Sequence, residues 1–475
     1  MRPSRLTLLN FHLLRIPHIL LFSAVLLTVP GGISTEAQEN GEKQKEENTE
    51  SEQDEELKSL REKRQLTLQY GIESQILGLV KKLKKTENTH HNEALIEVFE
   101  RTTNPTLQSN IADFFKSIES DALREKAFTK LKDYDELRPD PVSSLIDYLE
   151  EYQNEEITAL FQEMMEDPRS NVASRAVQAL GKSGNEGYTD KLIQLYEDSS
   201  SERMQESILE SLGYIGSDEA VELLTQVVKN EGNSKSLRWK ACTALGRIGN
   251  PDSLKTIEYL FSESDPYLRM YAVRALQHFE DDRVIDLLME ALKDNHWRVR
   301  VAAAKSLGET KAEKAVPILK FKAEHDPERN NVAPAAVRAL GKIGRKESYS
   351  FLRKLYSSED YSFSLRLTAL QMLVQNDLRN SLATIRKVID EEWNEENSKI
   401  LEYTCKELST TEDRILQPLY QKMLSHPKGF HIPIYGLRGI RLNNVRALKS
   451  EVKKLTGEGY HRAVRELAKS VHDEL

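Results

Sequence analysis

Arginines stand at Arg238, Arg269, Arg300 and Arg366, each seven residues ahead of a leucine: Leu245, Leu276, Leu307 and Leu373. A guanidinium presents a planar fork of N–H donors that fits phosphate or carboxylate oxygens, so a periodic set could hold a polyanion or pair with acids of its own chain. Phase separates the two. Seven residues at about 100° each bring an arginine within about 20° of its leucine, so these side chains face inward with the leucines. The expected role is a structural ladder in which each arginine pairs with a loop acid of the preceding turn, with Asp265 and Asp294 as the candidates.

Other reactive residues are sparse. Cys242 and Cys405 each stand three places before an equivalent leucine, Leu245 and Leu408. Stacked helices at about 9 to 10 Å per step put them roughly 45 Å apart, whereas a disulfide needs Cα atoms within about 7 Å. Both read as small core residues. The 11 histidines are scattered, and the chain has no His-Glu dipeptide, zinc-ligand spacing, glycine-rich phosphate loop or Gly-x-Ser-x-Gly elbow. No catalytic, metal or cofactor site is expected.

What must position these residues is a repeat. Leu180, Leu212, Leu245, Leu276, Leu307, Leu340 and Leu373 are separated by 32, 33, 31, 31, 33 and 33 residues, and the series extends back through Leu149 to Ile118 and forward through Leu408 to Ile440. A looser copy ends on Leu467, so about eleven to twelve units fill Asn92 to Leu475. Residues eight, four and three before each anchor share its helical face, as in Leu237, Ala241, Cys242 and Leu245. Alanine recurs four before the anchor, where a small side chain lets a neighbouring helix approach. Gly184, Gly216, Gly249 and Gly344 stand four after it, where a left-handed cap would end the helix. These signals predict an all-α protein, an α-solenoid of helix pairs.

The stretches "VRVAAAKSLGETKAEKAVPIL" from Val299 and "VAPAAVRALGKIG" from Val332 resemble the HEAT repeat family, in the short form of phycobilisome-lyase-type proteins. The resemblance is clearest over 170–380 and elsewhere rests on spacing. It implies helix pairs whose second helices line a concave surface. One HEAT relative, deoxyhypusine hydroxylase, builds a di-iron site from repeated His-Glu pairs, and this chain has none.

On the second helices, positions nine, six and two before the anchor point about 120° to 180° away from the core. In the central units these places hold Trp239, Tyr267, Met270, Arg274, Arg298, Lys305 and Arg338. Aromatic side chains, a methionine and several cations over four consecutive units have the composition of a protein-binding hot spot. These seven residues are the expected partner-binding set.

The ends differ from the middle. Residues 1–37 read as a signal peptide: Arg2, Arg5 and Arg15 precede the apolar run Ile19 to Val29, Pro30-Gly31-Gly32 follows, and Thr35 and Ala37 suit a cleavage site. Residues 38–65 form an acidic linker without apolar residues able to seed a core, expected to be disordered or weakly helical, and ordered helix is expected from Leu66, as an N-terminal capping helix over 66–91 before the solenoid of 92–475. Lys428 to Leu475 carries 10 basic and 5 acidic residues. The whole chain has a formal net charge of −9, which disfavours nucleic acid as a partner. The resulting expectation is an exported, non-catalytic scaffold of the periplasm or cell envelope, or of the extracellular space, that binds a protein or peptide on its concave face. A lyase-like or accessory enzyme subunit and a purely structural spacer are the alternatives.

Overall fold

The computed structural model describes residues 58–475, and no strand occurs among them. The expected signal peptide and the acidic residues 38–57 lie outside the described residues. The chain divides into two compact units, one ending at Leu79 and one comprising Val80–Leu475. In the first, helix is already present over 58–70, so it begins ahead of Leu66. The single capping helix expected over 66–91 is instead broken at Gly71-Ile72, and a separate helix, Glu73–Thr86, starts afterwards.

From Asn92 onward the helices come as a first and a second helix, twelve times in succession. The central pairs are Val221–Lys229 with Lys235–Ile248, Leu254–Tyr259 with Pro266–Leu276, Asp282–Ala291 with Trp297–Glu309, and Val316–His325 with Val332–Ile343. Successive second helices pack against one another along the series. One junction departs from the pattern: Phe363–Glu391 joins a second helix to the next first helix through a non-helical residue, Asp377.

Local chemistry sets the helix limits. Several second helices start on polar caps whose side-chain oxygens accept a free backbone N–H: Ser234 from Leu237 at 3.3 Å, Asp265 from Tyr267 at 2.8 Å and Ser398 from Leu401 at 3.2 Å. Three end on glycines in the left-handed region, Gly216, Gly249 and Gly344, with φ of 78°, 67° and 73°. The conformation persists where glycine is missing. Lys311 and Asn444, four residues after their own anchors, adopt φ of 50° and 47°, so the turn is imposed by the stack even on residues with a Cβ.

All seven anchor leucines from Leu180 to Leu373 are fully buried, as are Ala241, Ala272, Ala303 and Ala336. The tightest approach between second helices, however, occurs at the glycine that follows the anchor. A Cβ on Gly246 would lie 2.7 Å from Cβ of Ala275, and one on Gly308 would lie 2.9 Å from Cα of Ala339. The recurrent Leu-Gly step therefore places a bare backbone against the residue just before the next unit's anchor. No larger side chain fits there without moving a helix.

The inward arginines form the ladder, but in the opposite direction from that expected. Each pairs with an acid of the following unit: Arg238 with Glu263, Arg269 with Asp294 at 2.7 Å, Arg300 with Asp326 at 2.7 Å, and Arg366 more loosely with Glu392 at 3.9 Å. The backbone of the preceding loop takes the remaining donors, as when Arg300 donates to the carbonyls of Asp294 and Asn295 at 2.9 and 3.1 Å. One guanidinium thus ties two consecutive loops together. Asp265 caps its own helix and pairs with Lys235 at 2.8 Å instead. Preceding acids are too close along the chain to lie opposite the fork, whereas the acid 25 or 26 residues later is brought there by one unit of stacking.

Candidate functional site

The second helices Lys235–Ile248, Pro266–Leu276 and Trp297–Glu309 turn one side away from the core, and aromatic and arginine side chains collect there. Trp239 stacks on Tyr271, with ring centroids 5.5 Å apart and planes 26° apart, and lies 5.8 Å from Tyr267. Tyr267 continues to His296 at 6.4 Å, and His296 stacks on Trp297 at 6.1 Å. Arginines cover these rings: Arg274 lies 5.6 Å from Tyr271, and Arg298 lies 4.2 Å from Trp297 and 5.5 Å from Tyr267. Such contacts hold the cations in place without neutralising them.

A hollow of ≈ 170 Å³ opens beside Trp239, lined by Glu210, Ser236, Lys240, Arg247 and Tyr271. The indole Nε1 of Trp239 is buried without an acceptor. Arg247 lies over Tyr214 at 4.1 Å, extending the cluster to a fourth helix, Glu202–Ile215. A larger hollow lies elsewhere, ≈ 700 Å³ between the kink at Asp377 and the turn 407–413. Its buried carboxylate is already occupied: Asp377 accepts from Arg353 at 2.5 Å, Asn380 at 2.7 Å and Ser381 at 3.0 Å.

Reactive chemistry is weak by comparison. Both cysteines are free and buried, and burial pushes each thiol up to about 12, so neither supplies thiolate near neutral pH. Among the described residues no three His, Cys, Asp or Glu side chains are grouped to hold a metal. No described helix is long and apolar enough to cross a membrane.

The model of one family, described as spirochaete HEAT repeat protein, matches residues 68–471. The chain belongs to that family. No curated protein matches the sequence. Among solved structures, the chain is similar to importin beta at 15% identity and a TM-score of 0.44, covering 86% of this chain and 65% of that one. It is similar to Kap121p at 13% identity and a TM-score of 0.40, over 88% of this chain, and so spans about half, 53%, of the length of Kap121p. Human deoxyhypusine hydroxylase is matched at 18% identity and a TM-score of 0.24, over 56% of this chain and 98% of that one.

Within these HEAT repeats the expected partner-binding residues fare unequally. Tyr267 is 39% exposed, and Arg274, Lys305 and Arg338 are exposed as well. Trp239 and Arg298 are half-buried, each in ring contact with the cluster. Met270 does not belong to the surface: it is only 7% exposed. Six places before the anchor is about 120° from the core face, a flank that the adjoining second helices cover on both sides, so a long apolar side chain there is enclosed. Among the described residues Arg338 and Lys305 make no ring contact; Lys305 lies toward the other end of the helix that starts at Trp297, and Arg338 lies on the next second helix.

Three members of the cluster were not expected. Tyr271, five places before Leu276, points about 140° from the anchor, so the same arithmetic applied to that position would have found it. His296 and Trp297 sit at a helix start, where helical phase has little meaning. His296 accepts the Arg298 N–H at 3.3 Å as a cap, which turns its ring toward Tyr267.

Proposed function

We propose that this protein is a non-catalytic scaffold that binds a protein or peptide partner on the outer face of its central second helices. The observation carrying this reading is the continuous cluster of Trp239, Tyr267, Tyr271, Trp297, Arg274 and Arg298, spread over three consecutive units and fixed by mutual ring contacts. Large aromatics and arginines on rigid elements supply most of the energy of protein interfaces, because they bury much area at little cost in side-chain entropy. In an α-solenoid the second helices line the inner curve, so the cluster would lie on the concave side. The N-terminal pattern of three arginines, an apolar run and a small-residue site supports export to the periplasm or cell envelope. The test compares the partners recovered from envelope extracts by the wild-type protein and by Trp239→Ala with Tyr267→Ala. Loss of the same specific partner by the double variant, with helical signal unchanged, is expected. Equal recovery by both would remove the cluster from consideration.

A further inference from the structure

Two residues before each anchor, the second helices carry a row that changes character along the chain. From the unit of Leu276 onward it reads Arg274, Lys305, Arg338, Gln371, Lys406 and Arg438. All five cations are exposed, and among the described residues none of their side chains makes an ion pair or hydrogen bond. Acids are present near this row but are committed elsewhere, as Glu309 is to Lys342 and Glu402 to Tyr435. In a chain of net charge −9, five unpaired cations at one register in six consecutive units form an open cationic track suited to an anionic partner.

We infer that this track binds an extended acidic peptide segment of a partner protein, with carboxylates recurring about every third residue. The inference rests on the reading above and names the chemistry of the partner. The period follows from geometry. Neighbouring packed helices stand about 8 to 10 Å apart, and a chain in the extended polyproline II conformation advances about 3.1 Å per residue with three residues per turn, so every third side chain faces the same way one unit further on. Each carboxylate then meets the cation of the next unit, and Gln371 offers an amide donor at the one uncharged place. A nucleic acid suits the row poorly. Duplex strands place a phosphate every 3.4 Å or so, which one cation per unit cannot match, and the surrounding acidic chain repels the excess. Tyr271 beneath Arg274 and Tyr403 beneath Lys406, 5.5 Å from the ring centroid, add flat apolar surface for the spacer residues.

The experiment measures binding of a fluorescein-labelled peptide of repeated Glu-Ser-Ser triplets, with an isomer whose glutamates are gathered into one block as comparison. The spaced peptide is expected to bind about tenfold more tightly than the block. Combining Lys305→Gln, Arg338→Gln, Lys406→Gln and Arg438→Gln should weaken it about tenfold or more. Lys255→Gln, Lys346→Gln, Lys387→Gln and Lys449→Gln together remove the same charge from exposed first-helix sites and should change binding by less than about twofold. Equal affinity for spaced and block peptides, equal losses in the two quadruple variants, or tighter binding of poly(dT) than of the spaced peptide would each overturn the track. If the track fails while Trp239→Ala with Tyr267→Ala still loses the envelope partner, the scaffold reading stands without it. If the track variant alone loses binding, the aromatic cluster is at fault.

Discussion

The same outward register is closed in the N-terminal units and open in the C-terminal ones. Before Leu276 it holds Lys116, Asp147, Gln178, Glu210 and Thr243, and each is taken up within the chain. Lys116 pairs with Glu150 at 2.8 Å, Asp147 with Arg175, and Glu210 with Lys240 at 2.6 Å. Gln178 accepts from Arg175 at 2.7 Å, and Thr243 donates to the carbonyl of Trp239 at 2.9 Å. From Arg274 onward the side chains of the row have no such partners among the described residues. One scaffold thus carries two surfaces, and for the charged positions the difference lies in whether a complementary charge stands one unit away. A repeat fold permits this because the stack is specified on the inward side, leaving the outward positions free to vary.

Pair burial should give the largest contrast between the regions. Arg300 is 5% exposed and Asp326 only 1%, so Arg300→Ala strands a buried carboxylate and should cost about 3 kcal/mol of local stability, with Lys322 at 3.3 Å limiting the loss. Lys182→Ala in the N-terminal region should cost under about 1 kcal/mol, because its lysine is partly exposed and Glu150 keeps Lys116. Amide hydrogen exchange read unit by unit measures both, and equal losses would erase the contrast. Acid should act on the same ladder. Burial pushes the Asp294 and Asp326 carboxyls up, but hydrogen bonds from Arg269 and Arg300, backbone N–H groups and the arginine charges outweigh it and hold both below the usual aspartate range. The folded state then binds fewer protons than the unfolded one. The ladder's contribution is complete above the unfolded pKa and is lost as pH falls through the lowered folded values.

A smaller effect of about 1 to 3 kcal/mol is expected from Gly246→Ala, whose new Cβ meets Ala275. Loss of protection should centre on the two helices in contact and fade along the series; uniform loss over every unit would contradict nearest-neighbour stacking. In the other direction, Lys311→Gly should raise stability by about 0.5 to 1 kcal/mol, since the left-handed cost of a side-chain-bearing residue exceeds the added freedom of glycine. An unchanged or lower melting temperature would show that the turn is not strained. The smallest stability change, under about 1 kcal/mol, belongs to Glu210→Gln, which frees Lys240. It should instead tighten binding of the spaced glutamate peptide, because Lys240 then stands free on the second helix next to that of Arg274.

Much of this was readable from residue spacing. The interval of 31 to 33 residues gave the helix pairs, and the glycines four after the anchor marked left-handed turns that the structure contains. Inward phase placed Arg238, Arg269 and Arg300 in the stack. Met270 is enclosed although its phase points outward, because helical phase describes one helix only and burial on a flank depends on the neighbour. Tyr271 is legible from its place five before the anchor, whereas His296 enters the cluster through a cap that phase cannot foresee.

The sequence by itself determined what repeats: the helix period, the buried leucines, the turn glycines and the unit length are local or periodic, and each is written in residue type and spacing. Tertiary structure decided what depends on the next unit. It set which acid each arginine meets, why glycine must follow the anchor, and which outward charges find partners. Those contacts join residues about one unit apart in sequence, and only the stacking of one helix pair on the next brings them within a few ångströms.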